Sequence, residues 1–279
     1  MSADSLAEYE KVAVSAAKSA GAVIREAFVK KKTVEHKGSV DLVTETDKQC
    51  EALISSALRE AFPDHSFIGE EESSAAGSTA ALTDAPTWMV DPLDGTTNFV
   101  HQYPFVCVSI GLAIEQKLVL GVVFNPILNE LFTAVQGRGA FLNGQQIHAS
   151  STAELGNALL ATEIGTTRDP QTVAAIFDRI SALTGCMRSV RCSGSCALNL
   201  CSVACGRLDA FYEIGFGGCW DVAAGALVLQ EAGGTVLDPA GGQFGVMARR
   251  VLGTNAHLGD AVAKVLAGCK VSPHEAQAP

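Results

Sequence analysis

The sequence predicts an α/β protein built as one domain of two lobes, an α+β lobe over about residues 1–150 and an α/β lobe over about 151–270. Three observations carry this. Two amphipathic helical stretches fill the first sixty or so residues. An antiparallel strand pattern then runs from Phe105 to Ile147. Beyond residue 150, helix and strand signals alternate. With 279 residues, 48% hydrophobic and only 18% charged, the chain can bury a sizeable core and is not disordered.

The first helix is expected from Ser5, where Ser5 and Glu8 have the spacing of a capping box, with Tyr9, Ala13, Ala16, Ala20, Val23 and Ala27 along one face. A basic loop, Lys30 to Lys37, follows; its lysine run reads as a solvated surface. The second helix begins near Thr44, buries Cys50, Leu53, Ala57 and Ala61, and ends at Pro63. Asp47 falls in its first turn, where the helix dipole favours an acid whether or not it has another task. Phe67-Ile68 reads as a short strand ahead of the acidic run Glu70-Glu71-Glu72. Thr87 to Val90 reads as a buried strand that stops at Asp91, because Pro92 blocks its continuation. After the antiparallel region come a strand at Ala158 to Thr162, a helix at Thr172 to Thr184, a cysteine-bearing helix at Ser195 to Cys205 and a strand at Ala210 to Glu213. A helix opening at Trp220-Asp221 and ending at Gly233-Gly234 is next, then short strands at Thr235 to Leu237 and Val251 to Thr254. The tail 271–279 is expected to be disordered.

The net charge of −10 and an isoelectric point near 5.0 argue against nucleic acid or an anionic membrane as the partner. The acidic start lacks the basic region and apolar block of a signal peptide. The most apolar stretch, Phe105 to Phe124, is interrupted by Glu115-Gln116-Lys117 and reads as a hairpin, so a cytoplasmic protein is expected. Cys192, Cys196, Cys201 and Cys205 cluster without a CxxC pair or a nearby histidine. They read as reduced thiols on a helix rather than a zinc site.

The most informative stretch is Asp91-Pro92-Leu93-Asp94-Gly95-Thr96. Two carboxylates three residues apart suit a hard divalent cation, which takes oxygen ligands. Gly95 permits close backbone approach, and the following threonines offer N–H groups and hydroxyls to an anion. A cation site and an anion site so close together indicate chemistry on a phosphate ester. This pattern arises by chance in roughly one of several thousand chains of this length. Other chemistries fare worse. The histidines form no HExxH pair, Gly194-Ser195-Cys196 lacks the second glycine of a nucleophile elbow and reads as a helix start, and no P-loop occurs.

Taken with Gly69-Glu70-Glu71, Val40 to Asp47, Trp88 to Phe99, Gly137 to Phe141, Trp220 to Gly225 and Glu231-Ala232-Gly233-Gly234, the chain resembles the inositol monophosphatases from about residue 5 to 265. The resemblance implies a layered αβαβα sandwich and magnesium-dependent hydrolysis of a sugar-alcohol or sugar monophosphate by direct attack of a metal-activated water. It implies two or three Mg2+ per subunit. Glu70, Asp91 and the Leu93 carbonyl would hold the first, Asp91, Asp94 and Asp221 the second. It implies that Gly95, Thr96 and Lys37 bind the phosphate, that Thr96 with Asp47 and Glu70 orients and deprotonates the water, and that Asp94, Cys196, Glu213 and Asp221 face the substrate hydroxyls. A homodimer and inhibition by lithium are implied as well. Two departures stand out. The acidic run carries one additional glutamate, which makes Glu71 a fallback for Glu70. The loop Phe216-Gly217-Gly218-Cys219 is longer than in animal members and leans toward plant-like ones, which also act on L-galactose 1-phosphate. The alternatives are a bisphosphate nucleotidase, a histidinol-phosphate phosphatase, and a regulator that binds metal or phosphate without turnover.

Overall fold

The computed structural model describes residues 3–30, 34–36 and 42–276. In chain order the helices are α1 (Ala3–Phe28), α2 (Glu45–Ala61), α3 (Glu70–Ala76), α4 (Thr96–Val100), α5 (Pro170–Thr184), α6 (Cys196–Ala204), α7 (Cys219–Glu231) and α8 (Gly259–Ala267). The strands are β1 (Val34–His36), β2 (Leu42–Thr44), β3 (Ser66–Gly69), β4 (Thr87–Asp94), β5 (Cys107–Ile114), β6 (Lys117–Asn125) and β7 (Glu130–Val135). They continue with β8 (Ala140–Leu142), β9 (Gln145–Ile147), β10 (Leu159–Thr162), β11 (Ser189–Arg191), β12 (Ala210–Ile214), β13 (Thr235–Leu237) and β14 (Arg250–Thr254).

These elements stack in five layers. α1 and α2 cover the outer face of a seven-stranded sheet ordered β3-β4-β5-β6-β7-β8-β9. α6 and α7 lie between that sheet and a five-stranded one ordered β11-β10-β12-β14-β13, and α5 and α8 cover the far side. The αβαβα expectation therefore holds, and the large sheet is antiparallel apart from the β3–β4 pair.

The middle layer is seated by glycine. Gly111 on β5 faces Gly121 on β6 across the ladder. A Cβ at Gly111 would lie 2.7 Å from the Ala223 Cβ, and one at Gly121 would lie 2.5 Å from the Ala224 carbonyl oxygen. Only a side-chain-free saddle lets α7 sit this close to the sheet, and α7 carries Asp221. On the other face, the Tyr9 and Phe62 rings meet at 4.9 Å and Phe62 and Trp88 at 5.8 Å, tying α1 and α2 to β4.

Several sequence readings need correction. β4 does not stop at Asp91. It continues to Asp94 through a bulge that places one additional residue on β4 between the pairs Asp91–Ser109 and Asp94–Cys107, where the missing N–H of Pro92 costs no ladder bond. α1 begins before Ser5, so Ser5 is inside the helix rather than its cap. On α2 the buried stripe runs through Asp47, Cys50, Glu51, Ile54 and Leu58, while Leu53 is 41% exposed; four-residue steps from Cys50, not three, point toward α1 and the sheet. Part of the expected basic loop is β1, paired antiparallel with β2. Cys192 is exposed and precedes α6, so it does not share the helix with Cys196 and Cys201. Residues 271–276 are not loose. Arg179 forms a buried ion pair with Glu275 at 2.6 Å and also donates to the Lys270 carbonyl, Ser272 is buried against Thr172, and Arg250 donates to the Ala276 carbonyl. Two guanidiniums with carbonyl and carboxylate acceptors hold a segment whose composition alone would leave it free.

Candidate active site

One open cavity of about 650 Å³ lies between the two sheets and is lined by Glu70, Asp91, Leu93, Asp94, Gly95, Thr96, Cys196, Glu213 and Asp221. Residues predicted from five separate parts of the sequence thus converge on one site. Asp47 joins them through Thr96. Lys37 lies outside the described residues. Of the two candidate glutamates, Glu70 lines the cavity, whereas Glu71 does not.

Each acid is fixed from the backbone up. The β4 bulge turns Asp91 and Asp94 to the same side, and Asp91 accepts the Leu93 N–H at 2.9 Å. Asp94 accepts from the Ser195 hydroxyl at 2.6 Å and the Ala197 N–H at 2.8 Å, so the capped start of α6 holds it from the opposite lobe. Asp221, at the third position of α7, accepts the Gly218 N–H at 3.2 Å. Gly95 takes φ +92°, and a Cβ there would lie 3.0 Å from the carbonyl oxygens of Gly194 and Phe105. Glycine is therefore required where the chain leaves β4 for α4. Asp47 accepts the Thr44 N–H at 2.9 Å and the Thr44 hydroxyl with one oxygen, and the Thr96 hydroxyl at 3.0 Å with the other. It is at once a helix-capping acid and a hydrogen-bond partner of Thr96 in the cavity wall.

The electrostatics record crowding. Burial, then Glu70, Asp94 and Asp221, push the Asp91 carboxyl well above the ordinary range. Asp221 is raised by burial, then by Asp94 and Glu70. Burial lifts Asp94 to about 6 against the pull of its Ser195 and Ala197 hydrogen bonds, and lifts Asp47 to about 6. Glu213 is pushed well above its ordinary value by burial and by Glu163, and its Oε2 is buried without a hydrogen-bond partner. Among the described residues, no three acidic, histidine or cysteine side chains already form a finished metal cage. The acids instead rest on protein donors and on one another. Even so, an all-oxygen, mutually repelling, buried set around an open cavity fits a hard divalent cation and fits poorly anything softer.

Three supporting residues escape the motif reading. Glu51 accepts the N–H groups of Glu71 and Glu72, both at 2.8 Å, and so anchors the start of α3 that presents Glu70. Its signal was legible: an acid four residues after Asp47 within an apolar stripe. Glu163 accepts from Ser193, Gly194 and the Asn199 side chain and shapes the turn before Ser195. Asn98 donates to the carbonyls of Phe105 and Ser193, joining α4 to that same turn. Neither has a short-range sequence signature, because all the partners apart from Phe105 come from distant segments.

The family model of the inositol monophosphatases matches residues 5–270. The chain belongs to the inositol monophosphatase family. Inositol monophosphatase 2 of Solanum lycopersicum is 63% identical over 259 residues, covering 93% of this chain and 98% of that protein. Inositol monophosphatase 1 of Homo sapiens is 45% identical over 256 residues, 91% of each chain. Among solved structures, inositol monophosphatase from Anabaena (Nostoc) sp. PCC 7120 superimposes with a TM-score of 0.82 at 36% identity, covering 97% of this chain and 98% of that one. The family is metal-dependent, in keeping with the acid cluster of the cavity.

Proposed function

We propose that this member of the inositol monophosphatase family is a magnesium-dependent phosphoric monoester hydrolase acting on myo-inositol 1-phosphate, with L-galactose 1-phosphate as the second substrate to test. The observation that carries the reading is the Asp47–Thr96 hydrogen bond set beside Asp91, Asp94, Asp221 and Glu70 on one cavity. Glu70, Asp91, the Leu93 carbonyl, Asp94 and Asp221 would hold two or three Mg2+. When bound, the cations neutralise the carboxylates and the phosphate oxygens and lower the pKa of water. Thr96 orients the attacking water, and Asp47, raised to about 6, takes the proton that passes through the Thr96 hydroxyl. The N–H groups of Gly95 and Thr96, with Lys37, bind the phosphate. Glu213 accepts from the hydroxyls of the alcohol portion, and the backbone near Cys196, at the start of α6, faces them. The unpartnered Glu213 Oε2 supports that role, since a buried carboxylate oxygen gains most from a donor arriving with the substrate.

All nine cysteines are unpaired, which supports a reducing, cytoplasmic setting, and no helix among the described residues is long and apolar enough to cross a membrane. We place the working enzyme as a homodimer, for which sedimentation gives the direct check. The functional test is phosphate release from inositol, galactose, histidinol and nucleotide phosphates with Mg2+, with EDTA and with millimolar Li+. Release confined to sugar and cyclitol monophosphates, abolished by EDTA and inhibited by Li+, is expected. Release unaffected by EDTA would remove the metal from the account.

A further inference from the structure

Arg249 lines the cavity and has no part in the chemistry above. It is the first residue before β14, and β14 pairs with β12, the strand that carries Glu213. Beyond their last ladder pair, Ile214–Arg250, the chain from β12 passes through Gly215-Phe216-Gly217-Gly218 into α7, which carries Asp221. This loop therefore joins two residues of the site. Glycine loses more conformational freedom than any other residue when it is held in one conformation, so this loop is costly to fix. Of the loop's own side chains only Phe216 is buried in the core.

Gly218, at the far end, is tied to Asp221, whose carboxylate accepts its N–H; the anchors of Gly215 and the Phe216 carbonyl come from Arg249. Its carbonyl accepts the Gly215 N–H at 2.8 Å, its Nη2 donates to the Gly215 carbonyl at 3.1 Å, and its Nε donates to the Phe216 carbonyl at 2.5 Å. One residue thus grips two successive peptides of the loop from outside. Arg249 does this with φ +56°, a left-handed backbone that non-glycine residues rarely adopt. Such strain persists where the surrounding contacts hold it. The gripped loop then carries Gly217 past Asp221: a Cβ at Gly217 would lie 3.1 Å from the Asp221 Oδ2 and 3.3 Å from the Trp220 Nε1.

We propose that Arg249 is a positioning residue that clasps the Gly215–Gly218 wall of the cavity and so sets its fit to the alcohol portion of the substrate. The proposal rests on the phosphatase reading for its kinetic consequences, but the clasp itself can be tested without turnover. The variants are Arg249→Ala, Arg249→Gly and Arg249→Lys. Glycine relieves the backbone strain, so loss of the side chain can be followed in a chain that folds. Lysine keeps the charge but cannot fork between two carbonyls.

With inositol 1-phosphate, kcat/KM is expected to fall about tenfold in all three variants, chiefly through KM, because small misplacements of a binding wall are costly. With glycerol 2-phosphate, too small to reach the wall, it is expected to change less than about twofold. In a Trp88→Phe background, where Trp220 is the single tryptophan and is excited selectively over the tyrosines, acrylamide quenching is expected to rise about twofold in each Arg249 variant as the loop loosens over the indole. An equal loss on both esters with the lysine variant like wild type would make Arg249 an electrostatic attractor and overturn the clasp, as would unchanged quenching. If the parent protein hydrolyses neither ester while quenching still rises, the phosphatase reading fails and the clasp stands.

Discussion

Asp47→Asn separates the catalytic role of Asp47 from its structural one. The wild-type carboxylate uses Oδ2 for the Thr44 N–H and hydroxyl and Oδ1 for the Thr96 hydroxyl. An amide keeps its oxygen toward Thr44, so the cap of α2 survives, and turns its NH2 toward Thr96. The Thr96 proton then has one acceptor left, the Leu93 carbonyl at 3.2 Å, and can no longer be handed to residue 47. Loss of a general base of this kind lowers kcat by about 10²–10⁴, or about 3–5 kcal/mol in the barrier. Stability moves the other way. Burial lifts Asp47 from 3.8 to about 6, so keeping it charged at neutral pH costs about 3 kcal/mol, and the amide removes that cost. The expected result is a kcat reduced by at least two decades, KM within about threefold of wild type, and a Tm equal to or a few degrees above it. Steady-state phosphate release and calorimetry measure these. A kcat within about tenfold of wild type, or a Tm low enough to explain the lost rate, would refute the assignment.

Asp91→Asn should abolish turnover while leaving the circular dichroism spectrum and Tm intact, since it relieves the repulsion that raises this carboxyl and keeps the Leu93 contact; measurable wild-type-like rates would contradict a shared metal ligand. In metal-free protein, Asp47, Asp91, Asp94, Asp221 and Glu213 all bind their protons more tightly folded than unfolded. The stability this gives is fully present below about pH 4 and is lost as pH rises through the folded values, near 6 for Asp47 and Asp94. Metal-free Tm, set by these groups, should therefore fall between pH 4 and 7, and Mg2+ at pH 7 should restore it; a flat profile unaffected by Mg2+ would contradict the crowded-acid picture. Glu51→Ala leaves the Glu71 and Glu72 N–H groups without their acceptor at the start of α3. It should cost about 2–3 kcal/mol by urea denaturation and raise the Mg2+ needed for half-maximal rate, whereas Glu51→Gln should retain most of both.

Short-range rules determined a large share of this protein. The apolar periods place α1, α2 and the antiparallel run β5 to β9, and Asp-Pro-x-Asp-Gly-Thr marks the cavity, because paired acids and a glycine that lets the backbone approach a ligand are local chemistry. Other features were legible once their meaning was known, such as the buried acid Glu51 four residues after Asp47. Tertiary structure decided the rest. Pro92 lies within β4 rather than after it because the ladder skips a bond there. The tail through residue 276 is ordered because Arg179 and Arg250 reach it from afar. Asp94 is held by Ser195 and Ala197, about a hundred residues away. Glu163, Asn98 and Arg249 matter through backbone groups whose identity no side-chain pattern encodes. Local sequence sets conformation and residue chemistry, but which carbonyl or N–H a side chain meets across the middle layer depends on how two sheets and the helices between them pack, and that is a property of the whole chain.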